Sequence, residues 1–385
     1  MARFPARSLL VTAAALALAG GCTAPAAAQN HAPAARSVAT LPATTVPTAP
    51  TAGAGALSSR PAPAPGRVSS RLWPFKRLYN VDYVDVRDIA SRYGLRAVWI
   101  VSGRTMHLVD ERDRVRLRFV SRDRDFSLDG VRVFMGEATV FNKDSLYVSR
   151  LDVIKTIAPL LGPADYAGQL PAPPRLIVLD PGHGGNDPGN QNAALHLDEK
   201  AMTLDVARRL GKLLEARGYR VLLTRADDRR VELEQRTETA GRARADLFLS
   251  IHFNALPSAA AGRVTGSETY VMAPRFMLSS GAEAKDQLTD VAFPGNRFDP
   301  ANTVLGFALH RRLLAQLKSS DRGYKRARFV VLRLAECPAV LVEAAYLSNN
   351  LEARKVAAAA YRDQIAAAIA DGVDDYAATL AALRR

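Results

Sequence analysis

The chain has 385 residues, of which 48% are hydrophobic and 23% charged, so it is long enough for two folded domains with extensions. Its net charge of +14 invites a nucleic-acid interpretation. The basic residues are spread along the chain beside acidic ones, as in residues 110–114, and no DNA- or RNA-binding signature accompanies them. We therefore predict no nucleic-acid partner; an acidic polymer or a membrane surface fits the charge equally well.

Residues 1–22 have the pattern of an export signal, with two early arginines, a short apolar stretch at 9–19 and small residues before Cys22. The apolar stretch is too short for a permanent membrane-spanning helix. Small residues ending in a cysteine resemble a bacterial lipobox, which implies a lipid on Cys22 as a membrane anchor. Cleavage after Ala28 without lipidation is the alternative. The sequence thus predicts an exported, periplasmic lipoprotein, and Thr23 favours the outer membrane if the cell is Gram-negative.

Residues 23–70 consist almost entirely of Ala, Pro, Thr, Gly and Ser, which cannot bury enough apolar surface to fold. We predict a disordered tether. Residues 71–162 follow with short alternating strands and two short helices, which predict a small mixed α+β N-terminal domain. Asp129-Gly130 between two apolar stretches predicts a hairpin turn. A linker is predicted at 163–174, where proline is frequent.

The stretch "FSLDGVRVFMGEATVFNKDSLYVSRLDVIKTI" in this small domain resembles the copper amine oxidase N-terminal-like module of wall-associated enzymes. The resemblance implies a spacer or wall-contact role and no copper. His107 has no second histidine near it in the region, so we interpret it as a residue packed in a strand.

Residues 175–381 alternate apolar strands with amphipathic helices, which predicts an α/β catalytic domain with a largely parallel sheet flanked by helices. The first strand, 176–179, leads into a glycine-rich loop that carries His183. A helix then begins at Glu199, which shares one helical stripe with the apolar side chains of Met202, Val206, Leu210 and Leu213. A carboxylate on the buried face of a helix needs a partner, and a metal ion is a good one.

Two further strands, 247–251 and 339–342, end at His252 and Glu343. Ligands bind at the carboxyl ends of strands in open parallel sheets, so we expect His183, Glu199, His252 and Glu343 to converge. Two histidines and a carboxylate with an open fourth position form the ligand set of a catalytic zinc site. Glu343 is then the candidate catalytic acid/base.

Taken singly, each of these residues has an ordinary explanation as a turn residue, a core histidine or a strand-end ion pair. Only their joint placement favours a site. Two other histidines stay outside the set: His196 in the polar approach to the helix, and His310, which we predict to be solvated on a later helix. Cys337 is predicted to be a buried thiol rather than a partner of Cys22.

The motifs "IVLDPGHGGNDPG", "EKAMTLDVARRL", "TRADD", "ADLFLSIHFNA" and "DRGYKRARFVVLRLAECPAVLVEAAYLSNNLE" resemble the zinc-dependent N-acetylmuramoyl-L-alanine amidases of bacteria. The resemblance runs from about residue 176 to 376. It implies that His183, Glu199 and His252 bind Zn²⁺ and that Glu343 is catalytic. It implies hydrolysis of the amide between N-acetylmuramic acid and L-alanine in peptidoglycan, for wall remodelling or daughter-cell separation.

Two alternatives remain open from the sequence, another zinc peptidase acting on the peptidoglycan stem and a non-catalytic wall-binding protein. Residues 274–301 form a long connection. In some members of the family a helical insert at this place blocks the site until a protein activator binds. A lid, a substrate wall, an autoinhibitory segment and an ordinary surface loop are all compatible with this segment.

Overall fold

The computed structural model describes residues 73–256, 262–280 and 288–385. The predicted export signal, Cys22 with its predicted lipid, and the predicted tether lie outside these residues. In the part of the chain that is described, no helix is both long enough and apolar enough to cross a bilayer.

Residues 73–169 contain nine strands and short helical segments. In chain order these are β1 Lys76–Leu78, β2 Val81–Asp85, α1 Val86–Arg92, β3 Arg96–Val101, β4 Thr105–Val109, β5 Val115–Val120, β6 Asp125–Leu128, β7 Val131–Phe134, β8 Val140–Asn142, β9 Ser145–Ser149, α2 Arg150–Asp152, a π-helical turn Val153–Ile157, α3 Ala158–Leu161 and a 3₁₀ turn Pro163–Gln169. The predicted hairpin at Asp129-Gly130 is confirmed. Both residues have positive φ, as a two-residue turn between β6 and β7 requires.

The second half alternates strands and helices. These are β10 Leu176–Pro181, β11 Gln191–Asn192, β12 Leu197–Asp198, α4 Glu199–Ala216, β13 Arg220–Leu223, α5 Leu233–Ala243, β14 Leu247–Asn254, β15 Ser267–Met272, α6 Asp299–Leu317, β16 Asp321–Ala327, α7 Val330–Arg333, β17 Ala339–Tyr346, α8 Asn350–Ala357 and α9 Ala359–Ala382, with 3₁₀ turns at Ala193–Leu195 and Pro294–Phe298. Every residue of β10 is buried, as expected for a central strand covered on both faces.

The main sheet has the strand order β13-β10-β14-β17-β15-β16-β7-β6-β5-β4-β3. The strands β13, β10, β14 and β17 are parallel, but β15 runs antiparallel to β17. Because β15 pairs in parallel with β16, four of the five pairings of this sheet within residues 175–381 are parallel; the predicted α/β domain is confirmed, and its sheet is mixed rather than wholly parallel. The connection between β14 and β15 has no crossover helix in its described part, and a parallel return would need one.

Alternate side chains of the central strands enter two cores. Ile177 and Leu179 of β10 pack on the face covered by α4, α6 and α9, whereas Val178 packs toward α5 and α7. The helices α6 and α9 approach closely at Gly372, where a Cβ atom would lie 2.7 Å from the Leu309 Cα. This tight packing lets the alanine-rich α9 bury its apolar face.

Strands from the first half extend the same sheet, since β7 pairs with β16 at Val133 and Tyr324. The buried guanidinium of Arg326 adds to this junction by donating to the Lys155 carbonyl at 3.0 Å and to Thr156 Oγ1 at 2.9 Å. Lys155 in turn forms an ion pair with the buried Asp299 at 2.9 Å. The separate folding of residues 71–162 stays a prediction.

His310 is fully buried, so the prediction that it is solvated is wrong. Its Nδ1 lies 3.0 Å from Thr269 Oγ1 and its Nε2 lies 3.0 Å from Asp321 Oδ1. Asp321 Oδ2 also accepts from the Arg132 backbone amide at 2.7 Å. Burial would raise the pKa of Asp321, but the His310 and Arg132 hydrogen bonds outweigh it and lower the pKa. The arginines that follow His310 suggest a solvated helix face. In the fold, however, buried residues lie on nearly all sides of α6, so His310 is enclosed.

Candidate metal centre

The loop after β10 carries the first predicted ligand. His183 adopts a left-handed backbone conformation with φ 61°, and its Nδ1 lies 2.9 Å from Asp187 Oδ2. A carboxylate on one ring nitrogen fixes the tautomer and leaves the other nitrogen free for a ligand. That other nitrogen, Nε2, lies 3.1 Å from Glu199 Oε2.

Glu199 is the first residue of α4 and is fully buried. Its Oε1 lies 2.9 Å from His252 Nδ1 and accepts from the Phe253 amide, while its Oε2 accepts from the Asn190 amide at 2.8 Å. Burial would raise the pKa of Glu199, but its hydrogen bonds with His183 and His252 outweigh that effect and lower the pKa. The carboxylate is therefore held ionised between the two imidazoles.

The structure brings the three predicted ligands together. One ligand atom from each of His183, Glu199 and His252 lies within 4.8 Å of the other two. Burial would lower the pKa of His183, but the hydrogen bond and charge of Glu199 raise it overall. These two imidazole nitrogens and a carboxylate oxygen could hold a metal ion.

Two glycines make room for this group. A Cβ atom on Gly182 would lie 2.2 Å from the Cε1 atom of His252. A Cβ atom on Gly189, where φ is +66°, would lie 2.6 Å from His183 Cδ2 and 2.7 Å from Glu199 Oε2. No side chain fits at either position without displacing a ligand.

Two buried arginines hold the His183 loop, and sequence reasoning did not identify either. The Arg225 guanidinium donates to the Pro181 and Gly182 carbonyls at 3.0 and 2.7 Å. Arg236 donates to the His183 carbonyl at 2.9 Å and to buried Asp180 Oδ1 at 2.8 Å. The signal was present in the motif "TRADD" and in an arginine one turn into α5, but charged side chains of this kind are usually solvated.

Glu343 lies in β17 in register with His252 of β14 on one side and Glu268 of β15 on the other. Its Oε2 atom is buried and has no hydrogen-bond partner in the part of the chain that is described. Burial, then the charges of Glu199 and Glu268, raise the pKa of Glu343 well above its usual value. An unpartnered carboxyl oxygen beside three potential ligands is available for proton transfer.

Glu268 is a buried neighbour that the sequence did not point to. It accepts hydrogen bonds from Lys325 Nζ at 2.8 Å, from Asn254 Nδ2 at 3.1 Å and from the hydroxyls of Tyr270 and Tyr346. Burial would raise the pKa of Glu268, but the Lys325 charge and these hydrogen bonds lower it. Glu268 therefore stays ionised, and its negative charge contributes to the raised pKa of the neighbouring Glu343.

The other polar candidates lie apart from this group. His196 is exposed, with φ 51°, and His107 lies in β4. Neither belongs to the cluster of potential ligands. Cys337 is buried as predicted, and its burial raises the pKa of the thiol to about 12.

The described parts of the 274–301 connection do not adjoin the metal group. Because β15 runs antiparallel to β17, the carboxyl end of β15 lies beside the amino end of β17. It is therefore at the opposite end of the strands from His252 and Glu343. Arg328 holds the start of the connection by donating to the Met277 carbonyl at 2.7 Å. The buried Met277 side chain packs against Gly136, where a Cβ atom would lie 2.6 Å from Met277 Cγ. Residues 281–287 lie outside the described part.

A family model described as N-acetylmuramoyl-L-alanine amidase matches residues 177–375, slightly more than half of the chain. The N-acetylmuramoyl-L-alanine amidase LytC of Bacillus subtilis is 36% identical over 201 residues, which cover 52% of this chain and 35% of LytC. The amidase AmiC of Neisseria meningitidis is 34% identical over 221 residues, covering 52% of each chain. The matched chain thus spans about half, or less, of the length of these curated relatives.

Among solved structures, the N-acetylmuramoyl-L-alanine amidase AmiC2 of Nostoc punctiforme is 31% identical. The match covers 54% of this chain and 98% of that one, with a TM-score of 0.44.

Proposed function

Because the chain belongs to the N-acetylmuramoyl-L-alanine amidase family, we propose that it hydrolyses the amide between N-acetylmuramic acid and L-alanine in peptidoglycan. The observation that carries the proposal is the convergence of His183, Glu199 and His252 beside the unpartnered Oε2 atom of Glu343. A role in wall remodelling or daughter-cell separation follows from that reaction.

His183, Glu199 and His252 are the residues that would hold a zinc ion, since two imidazoles and a carboxylate leave one coordination position open. Zinc bound there would supply Lewis-acid polarisation of a carbonyl and lower the pKa of a bound water toward ~7. Asp187 supports the His183 imidazole from behind, and Gly182 and Gly189 keep the space around the ligands free.

Glu343 is the proposed acid/base. Its Oε2 accepts a proton from the attacking water and returns that proton to the amide nitrogen as the carbon–nitrogen bond breaks. The products are a free lactyl carboxylate on the sugar and a free amino group on L-alanine. A raised pKa suits both steps, because the carboxyl group must exist in both protonation states during one turnover.

The decisive experiment is product analysis on purified peptidoglycan sacculi. We expect the wild type to release intact stem peptides with a free L-alanine amino group, identified by mass spectrometry. Glu343→Gln should abolish release while the zinc content of the protein stays at the wild-type level. Glu336→Gln, an exposed residue just before β17, is the matched control and should keep full activity.

The results also decide between the alternatives. Fragments cut within the stem would indicate another zinc peptidase, and sacculus binding without products would indicate a wall-binding protein. Undiminished activity of Glu343→Gln would refute the role of Glu343.

Export to the periplasm and a lipid on Cys22 are part of the same proposal, since peptidoglycan lies outside the cytoplasmic membrane. Mass spectrometry of the mature N-terminus tests them, with Cys22→Ser as the variant that cannot be lipidated. A protein activator is a further proposed partner. If the purified chain is fully active without any added protein, an activator is not required.

A further inference from the structure

A cavity of about 690 Å³ lies among the turns of the first half of the chain. It is lined by the turn after β1 (Tyr79), the turn after β3 (Gly103 and Arg104), the turn after β5 (Arg122) and the strand β8 (Phe141). Its volume is within the range of roughly 300–1,000 Å³ that small-molecule sites occupy. None of its lining residues belongs to the candidate metal centre.

The cavity carries two positive charges without internal partners. Arg104 and Arg122 are exposed, and neither guanidinium forms an ion pair or hydrogen bond with the residues that the structure describes. Seven other arginines of residues 73–169 pair with an aspartate; these are Arg77, Arg87, Arg92, Arg96, Arg114, Arg116 and Arg132. Two guanidinium groups beside one cavity are therefore left to bind an external anion.

Two exposed aromatic rings line the same cavity. Tyr79 is 82% exposed and Phe141 is 42% exposed. The Phe141 ring is held in place by the edge of Trp99, at 6.0 Å between ring centres, and it packs over Gly103. An aromatic ring held in this way with one face open, as Phe141 is, offers an apolar surface for the face of a sugar ring.

The backbone that carries two of these side chains adopts a defined turn conformation. Tyr79 and Arg122 have φ of 49° and 70°, a left-handed conformation that costs energy for residues other than glycine. The Arg122 amide donates to the Thr139 carbonyl at 2.9 Å, which ties the turn after β5 to the strand beside the cavity. A turn whose backbone is already ordered loses less backbone entropy on binding.

We propose that this cavity binds an anionic carbohydrate, a peptidoglycan glycan strand from which the stem peptides have been removed. The proposal rests on the proposed function, because amide hydrolysis turns each neutral lactyl amide into a free carboxylate. Arg104 and Arg122 would bind such carboxylates in the bidentate manner that guanidinium favours, while Tyr79 and Phe141 stack on the sugars. The enzyme would thereby stay on the strand that it is processing.

The concave shape favours a carbohydrate over a lipid surface, which a flat or protruding apolar patch would suit better. The test uses the full chain carrying Glu343→Gln, so that no substrate is consumed. Its binding is measured to glycan strands stripped of peptides by a separate amidase, to neutral N-acetylglucosamine polymer, and to vesicles that contain anionic phospholipid.

We expect the stripped glycan to bind more tightly than the neutral polymer, with an affinity that falls as salt rises. The double variant Arg104→Gln/Arg122→Gln should weaken this binding by about tenfold or more, and Phe141→Ala should weaken binding to both polymers. Arg112→Gln/Arg118→Gln removes the same number of charges from exposed positions outside the cavity and should leave binding unchanged.

Unchanged glycan binding in the double variant would overturn the inference, as would arginine-dependent binding to vesicles but not to glycan. Failure of the proposed function would appear elsewhere, as a lack of stem-peptide release by the wild-type chain. The two failures are thus distinguishable, since the stripped glycan is prepared independently.

Discussion

Arg236 offers the sharpest test of how the fold holds the candidate metal centre. Its guanidinium is 96% buried and donates to Asp180 Oδ1 and to the Pro181 carbonyl at 2.8 Å, and to the His183 carbonyl at 2.9 Å. Asp180 is itself fully buried. Replacing Arg236 by methionine keeps the volume approximately but leaves the Asp180 carboxylate without its ion-pair partner.

Removing one member of a buried ion pair costs about 3–5 kcal/mol. At roughly 2 °C per kcal/mol for a chain of this size, the melting temperature should fall by about 6–10 °C. Because Arg236 also holds the His183 carbonyl, zinc affinity should fall by roughly 10–100-fold, the usual effect of losing support behind a ligand.

The assays are thermal unfolding of the metal-free chain and zinc titration calorimetry. Arg242→Met is the matched control on the same helix, because its ion pair with Glu238 is exposed and contributes less than about 1 kcal/mol. Arg236→Lys should be intermediate, since one ammonium group cannot reach all the acceptors. If Arg236→Met melts no lower than Arg242→Met, the buried pair does not stabilise the site as we argue.

Three further predictions concern the ligands and the sheet junction. Gly182→Ala places a methyl group against the His252 ring, so zinc binding should be lost in calorimetry; normal affinity would show that the ring has room to move. Asp187→Ala removes the support of His183 and should weaken zinc binding by roughly 10–100-fold, an effect absent if the imidazole is held by packing alone. Asp321 has a lowered pKa in the fold, so its stabilising contribution is present above its unfolded pKa of about 3.9 and is lost as pH falls through the lower folded value. Asp321→Asn should therefore reduce the loss of stability below about pH 4 in urea unfolding; an unchanged acid limb would contradict the assignment.

The resemblance to the amidase family and the positions of the candidate metal ligands could be predicted from the sequence, because both depend on local patterns. The apolar stretches that end at His183, His252 and Glu343 form strands whose ends adjoin, and Glu199 shares the buried face of α4 with Val206 and Leu210. Such periodicity reports which side of an element is buried. The family was confirmed by the match over residues 177–375.

Other features depend on contacts between residues that are far apart in the chain. The direction of β15 could not be predicted, because an apolar strand has the same pattern whichever way its neighbour runs. His310 and Arg236 resemble solvated polar residues in the sequence, yet the fold buries both.

The sequence by itself determined the chemistry of this protein: which side chains stand at the strand ends, and that a carboxylate occupies a buried helical face. Only the tertiary structure decided the environment of those side chains. It placed Asp187 behind His183, Glu268 opposite Glu343, and left a carboxyl oxygen of Glu343 buried without a partner. The physical reason is that burial and charge act through space, whereas the sequence records only neighbours along the chain.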